Sequence, residues 1–293
     1  MGEPERRHAE IDGLKIHWTE AGEGRPLLLL HGWPTSSFLW RNIIPHLSRH
    51  RRIIAPDLPG FGDSDKPLDR AYDFEMHRRV LDGLFDHLHL DGPLGMVVHD
   101  IGGPIGFYWA RHASIRLDRV ALLNTLVYPD LHWMERAFIA ACGVPGLRRL
   151  ISSSLGLRCV LRMGLAKPSR LSRDDRDTLL RPFRDEHSRR SLLRSIACLD
   201  AEAMQHTIGW LRGLEIPMRM IYGAADRILH GLPRTVRRLE QDLPQLEITA
   251  LRDCGHFLQE EQPAEVGRAL AEFFDGAPQT DARIGEGARS ELR

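Results

Sequence analysis

Apolar and polar positions follow two rhythms along this chain. Leu27 to Leu30 form an unbroken apolar run, the pattern of a strand covered on both faces. Similar short runs recur at 52–55, 94–98, 120–123, 218–222 and 246–250. Between them the spacing changes to that of one helix face. Val80, Leu81, Leu84, Phe85 and Leu88 make such a stripe, and so do Val266, Leu270, Phe273 and Phe274 behind Pro263. Helices are also expected over 102–112 and from the glycine–proline turn at 31–34 up to about Leu47.

Ahead of the leucine run, two alternating stretches flank Asp12-Gly13, which predicts a hairpin because a tight primed turn needs positive φ. Strands alternating with amphipathic helices indicate an α/β protein, a mostly parallel central sheet flanked by helices. Residues 129–204 break the rhythm, with helix-like segments, many arginines and no strand pattern. This is how a helical cap inserted into the core would look. The expected division is therefore a core of 9–128 and 205–275, a cap of 129–204, and flexible tails at 1–8 and 276–293.

Composition narrows the function classes. Forty basic and forty acidic residues give zero net charge, so the whole chain offers no electrostatic bait for nucleic acid or an anionic membrane. Arginine pairs such as Arg148-Arg149 and Arg189-Arg190 read as solvated helix faces with acidic residues close to most of them. The four cysteines are far apart and form no C-x-x-C pair, which suggests neither a zinc site nor a disulfide framework and makes a reducing cytoplasm the expected location. The polar start M-G-E-P-E-R-R-H is unlike a signal peptide, and no run reaches the ~18 apolar residues of a membrane span. The expected partner is a small-molecule substrate, with the chain a monomer or homodimer.

Ligands of an open parallel sheet bind at the carboxyl ends of its strands. The polar residues there are His31, Asp57, His99, Asp100, Asn124, Asp226 and His256. In V-V-H-D-I-G-G, Asp100 stands on a strand-to-helix bend backed by Gly102 and Gly103. Such an elbow exposes its central side chain above the sheet. An aspartate there could equally serve as a plain helix N-cap. Asp226 and His256 follow the last two strands, where each alone could be a loop or structural residue. Three residues in the order nucleophile, acid, histidine, each past a separate strand, favour a hydrolytic triad. Backbone N–H groups of Trp33 and Ile101 would form the oxyanion hole.

The stretches H-G-W-P-T-S-S-F-L-W-R-N-I-I-P-H-L, D-L-P-G-F-G-D-S-D-K-P, V-V-H-D-I-G-G-P-I-G and G-H-F-L-Q-E-E-Q-P resemble the haloalkane dehalogenase and epoxide hydrolase branch of the α/β-hydrolase fold, over roughly Ile11 to Phe274. The resemblance implies that fold, with its inserted cap, and the triad Asp100, Asp226 and His256. Asn124 stands where one dehalogenase subgroup keeps its acid, which leaves Asp226 in that role.

A carboxylate attacking a saturated carbon gives an alkyl ester that an activated water can cleave. That chemistry requires no metal or organic cofactor. A serine elbow is absent: Ser152-Ser153-Ser154 has no strand before it, and Ser64 lacks the spacing. The resemblance also implies donors for the leaving group. Dehalogenases usually place a tryptophan after the nucleophile and an Asn after H-G, or a cap Trp; here those slots hold Ile101 and Trp33, with Trp133 and Trp210 as cap candidates. Epoxide hydrolases use cap tyrosines, for which only Tyr128 is placed suitably, with His132, His187 or His206 as a partner. His31, Trp33, Asn124, Tyr128, Trp133 and Trp210 are thus the candidate pocket residues. The primary expectation is a dehalogenase-like hydrolase on a small apolar substrate. An epoxide hydrolase, a β-lactone decarboxylase-like enzyme and a non-catalytic capped-pocket binding protein stay open.

Overall fold

A computed structural model describes residues 3–90, 92–196 and 199–276. Its centre is an eight-stranded sheet in the order β1-β2-β4-β3-β5-β6-β7-β8. The strands are β1 (Glu5–Ile11), β2 (Leu14–Ala21), β3 (Arg25–Leu30), β4 (Arg51–Pro56), β5 (Leu94–Asp100), β6 (Leu117–Thr125), β7 (Met218–Gly223) and β8 (Leu246–Leu251). β1 and β2 pair antiparallel, as do β2 and β4, and every other neighbouring pair is parallel. Asp12 and Gly13 carry positive φ in the first hairpin, as the turn requires.

The leucine run explains the layering. Leu28 and Leu30 of β3 belong to the larger apolar cluster, while Leu27 and Leu29 belong to another. β5 and β6 divide the same way: Met96, Val98, Val120 and Leu122 face the larger cluster, and Val97, Ala121 and Leu123 the other. Alternate side chains point to opposite faces of a strand, so a continuous apolar run fills two layers at once.

The helices are α1 (Ile44–Leu47), α2 (Phe74–His87), α3 (Gly102–His112), α4 (Trp133–Gly143), α5 (Pro145–Ile151), α6 (Ser154–Met163), α7 (Arg173–Leu180), α8 (Glu186–Ser195), α9 (Ala201–Arg212), α10 (Leu232–Asp242), α11 (Leu258–Glu261) and α12 (Pro263–Asp275). Among the described residues, none is long and apolar enough to cross a membrane. Helices α4 to α9 occupy the connection between β6 and β7, with no strand among its described residues.

Three expectations change. Residues 5–8 are not tail, because they pair with β2 from Glu5↔Glu20 to His8↔His17. The long helix expected before Leu47 is a 3-10 turn at Ser37–Trp40 followed by the single-turn α1. Ser37 N–H donates to Asp57 Oδ1 at 2.7 Å instead of into a helix, and Pro45 has no N–H to give. The boundary expected at 204/205 falls inside α9, whose buried stripe Met204, Thr207, Ile208 and Leu211 lies on a helix packed against α3. The tail expected at 276–293 lies outside the described residues beyond Gly276, as does Cys198, while Cys142, Cys159 and Cys254 are free thiols.

Candidate active site

Asp100 ends β5 in the left-handed region, with φ of 52°. Left-handed backbone at a non-glycine residue is uncommon and strained, and it persists only where the surroundings enforce it. Here glycines make room. A Cβ on Gly32 would sit 2.2 Å from that of Asp100, and one on Gly103 would sit 1.9 Å from Thr125 Oγ1. Thr125 Oγ1 in turn donates to the Asp100 carbonyl at 2.6 Å, pinning the bend.

The N-cap alternative for Asp100 fails. The N-cap of α3 is Ile101, with no side-chain cap bond. Asp100 Oδ1 instead accepts from Trp33 N–H across the sheet edge at 2.8 Å, and the amide of Ile101 also donates to the carboxylate. Both amides expected to form an oxyanion hole therefore converge on the Asp100 carboxyl group.

His256 sits in the loop between β8 and α11, fully buried. Its Nδ1 donates to Asp226 Oδ2 at 2.8 Å. Its Nε2 lies 3.6 Å from Asp100 Oδ2 and has no hydrogen-bond partner. Asp226 Oδ1 accepts from the amides of Ile228 at 2.7 Å and Leu229 at 3.0 Å, so its loop and histidine-facing roles use different oxygens. Two glycines let the loops meet: a Cβ on Gly223 would be 2.0 Å from the Gly255 carbonyl.

The charges are mutually adjusted. Burial pushes the Asp226 carboxyl up, but the His256 charge, its hydrogen bond and the two amides outweigh that and hold it below the usual range. Burial works to lower His256, yet Asp226 and then Asp100 raise it above its ordinary value. Asp100 itself is raised by burial, against the opposing pull of His256 and the two amides. His99, buried with its ring centroid 4.7 Å from that of His256, is held well below the ordinary histidine value by burial and by its neighbour. Neutral His99 donates from Nε2 to the His256 carbonyl at 3.0 Å.

The other candidates have different places. His31 is buried between loops, its Nδ1 donating to the Gly32 carbonyl and its Nε2 accepting from Leu58 N–H at 3.1 Å. Burial lowers its pKa, consistent with a neutral ring that ties loops together. Asn124 is a support for Asp226: Nδ2 donates to Oδ2 at 2.7 Å and to the Gly255 carbonyl at 3.2 Å, while Oδ1 accepts from Gly223 N–H. The Trp33 indole N–H donates to the Leu192 carbonyl of α8 at 3.1 Å, so that donor is already engaged. Trp133 is 63% exposed at the start of α4, an outward position that removes it from the pocket set. Trp210 packs half-buried from α9 onto the main core.

Tyr128 is corrected as well. Its hydroxyl donates to Asp242 at 2.7 Å, and the Arg238 guanidinium lies 3.6 Å over its ring. It lines a cavity of about 160 Å³ with Thr125, His132, Leu229 and His230, a rim feature that none of Asp100, Asp226 and His256 lines. Of its expected partners, His132 caps α4, His187 donates to the Lys66 carbonyl at 2.7 Å, and His206 is exposed on α9.

Sequence reading missed Glu261. Its buried carboxylate accepts from Gly255 N–H at 2.6 Å, Ala166 N–H at 3.1 Å and Lys167 N–H at 2.7 Å. The histidine loop is thereby tied to the chain after α6, a link reinforced by His256 N–H donating to the Gly164 carbonyl at 2.6 Å. The available signal was the pair of carboxylates in G-H-F-L-Q-E-E, too apolar a setting for solvated charge.

A family model described as alpha/beta hydrolase fold matches residues 25–263. A haloalkane dehalogenase of Sphingobium indicum is 33% identical over 288 residues, covering 92% of this chain and 95% of that protein. A cis-3-alkyl-4-alkyloxetan-2-one decarboxylase of Shewanella oneidensis is 27% identical over 293 residues, covering 92% and 89% respectively. Among solved structures, the epoxide hydrolase CorEH superposes with a TM-score of 0.80 at 30% identity, covering 93% of this chain and 99% of that one.

Proposed function

Because the chain belongs to the α/β-hydrolase fold family, in its haloalkane dehalogenase and epoxide hydrolase branch, we propose that Asp100 is the nucleophile of a hydrolase that works through an alkyl ester. The observation that carries this reading is the unequal setting of its two oxygens. Oδ1 is held by the Trp33 amide, while Oδ2 faces the unpartnered Nε2 of His256 at 3.6 Å.

Oδ2 attacks a saturated carbon, the bond to the leaving group breaks, and that group departs with the electron pair. The ester's remaining oxygen is Oδ1. His256 Nε2 then takes a proton from water, and the resulting hydroxide attacks the ester carbonyl carbon. Negative charge builds on Oδ1, to which the Trp33 amide donates, with the Ile101 amide on the same carboxyl group; one such donor is typically worth about 3 kcal/mol. Collapse expels the alkoxide, which takes the proton from His256 and leaves as the alcohol. Asp100, now carrying one oxygen from water, gives up the second water proton to solvent by way of His256 and is a carboxylate again.

Esterification also readies the base. It removes the Asp100 charge, one of the causes raising His256, so the ring gives up its proton more readily in the intermediate than in the free enzyme. Asp226 keeps its charge throughout and holds the Nδ1 proton in place.

The leaving group we favour is halide, in line with the dehalogenase relative, on a small apolar substrate. A second reading, opening of a strained oxygen ring, is favoured by the engagement of the Trp33 indole with Leu192 and by the donor-free side chain of Ile101. Intact mass spectrometry of His256→Phe after exposure to haloalkanes, epoxides and β-lactones tests the reading. The expected result is a stable adduct on Asp100, with the co-product naming the leaving group. No adduct from any class, with Asp100→Asn as the control, overturns it.

A further inference from the structure

Helix α5 has no buried residue, although its seven positions include Leu147 and Leu150. Its neighbours continue the exposed apolar surface. α4 presents Trp133 and Met134, Val144 precedes α5, and α6 presents Leu155 and Met163. Leu150 is 62% and Leu155 68% exposed. Helix α6 is sharply two-sided: Leu157 and Leu161 are buried, while Leu155, Arg158, Cys159, Arg162 and Met163 all face solvent. Clusters of exposed large apolar side chains mark interaction surfaces rather than idle surface.

The charge on this face is one-sided. From Arg136 to Arg173 the chain contains eight basic residues, at 136, 148, 149, 158, 162, 167, 170 and 173, and no aspartate or glutamate. Arg158 reaches Asp177 of α7 at 3.0 Å, but Arg136, Arg148, Arg149 and Arg162 have no carboxylate partner among the described residues. The arginine pair at 148–149 therefore lacks the acidic neighbours expected of a solvated helix face; a whole-chain charge of zero averages this block away.

We propose that the outer face of α4, α5 and α6 docks on an anionic lipid bilayer. Leucine, methionine and tryptophan interleaved with arginine suit the boundary between headgroups and acyl chains. A second copy of the chain fits less well, because a two-fold interface would set this arginine-rich face against itself. One turn on from Met134, α4 carries the half-buried Phe138, whose ring meets Trp33 edge-on at 5.4 Å. Docking would thus bring the helix that touches the catalytic loop onto the membrane, where apolar substrates concentrate.

Co-sedimentation of the full chain with vesicles tests this, using phosphatidylcholine alone and phosphatidylcholine with about one-quarter phosphatidylglycerol. The protein is expected to pellet with the anionic vesicles at low salt, and to be released at about 0.5 M salt or with phosphatidylcholine alone. Each arginine near an anionic surface contributes roughly fivefold to partitioning. Arg148→Glu/Arg149→Glu and Leu150→Glu/Leu155→Glu should each lower it more than ~10-fold, with thermal melting unchanged because all four side chains are exposed. Absence of binding to anionic vesicles, or equal binding by parent and variants, overturns the proposal. So does a dimer in sedimentation velocity that Leu150→Glu/Leu155→Glu converts to monomer.

Discussion

Asn124 Nδ2 donates to Asp226 Oδ2 at 2.7 Å, and that oxygen is the one His256 Nδ1 meets at 2.8 Å. The amide thus fixes the carboxylate that fixes the histidine. Asn124→Ala is expected to lower kcat about 10–100-fold, the worth of a hydrogen bond to a charged group, with substrate affinity little changed. Because position 124 reaches the same atom, Asp226→Asn/Asn124→Asp should recover part of the activity lost in Asp226→Asn. Steady-state kinetics of the three variants checks both statements.

His256 is raised above its ordinary pKa by Asp226 first and Asp100 second, against burial. In the free enzyme its base form is populated only as pH rises through that elevated value. In the ester, where the Asp100 charge is gone and Asp226 alone raises the ring, hydrolysis should lose rate on the acid side of a lower midpoint. Asp100→Asn removes one anion and should move the His256 titration downward, as followed by nitrogen chemical shifts. An upward or absent shift would break the proposed coupling between nucleophile and base.

Trp33→Phe separates the backbone role of this residue from its indole. The amide donating to Asp100 is kept, and the Leu192 carbonyl still accepts from Ser195 Oγ at 2.8 Å. Stability should fall by about 1 kcal/mol. The alkylation rate in a His256→Phe background is expected to change less than about threefold, whereas loss of a direct leaving-group donor would cost ~100-fold or more.

Glu261→Gln leaves one of three buried amide donors facing an NH₂ group instead of an oxygen. A loss of roughly 1–3 kcal/mol in unfolding free energy is expected. A fall in kcat should accompany it, because the Gly255 amide adjoins His256. Chemical denaturation and turnover measured on the same preparation check the pair of effects.

Much of this architecture was legible in local pattern. Leu27 to Leu30 announced a strand buried on both sides, and Asp100, Asp226 and His256 announced themselves by standing past three separate strands. What escaped was whatever depends on the direction of a side chain. Trp33, Trp133 and Tyr128 had the right chemistry at suitable positions, yet one donates to Leu192, one faces solvent and one turns to Asp242. Asn124 looked like pocket lining because sequence order does not reveal that β6 and β7 are neighbours. Glu261 acts on residues 94 and 95 positions away, a separation no local periodicity reports.

Since α9 lies against α3 and leads directly into β7, it serves as the crossover helix of an ordinary strand–helix–strand unit. Topologically, everything from α4 to α8 is then one enlarged loop on the rim above the sheet. A loop can be exchanged without altering strand order, so the surface that would choose a substrate can change while the proposed ester-cleaving residues stay, provided Gly164, Ala166 and Lys167 still meet His256 and Glu261. Transplanting 129–199 from a relative with a different diet, with the backbone contacts of 164–167 to His256 and Glu261 kept, is the natural route to re-aiming this scaffold.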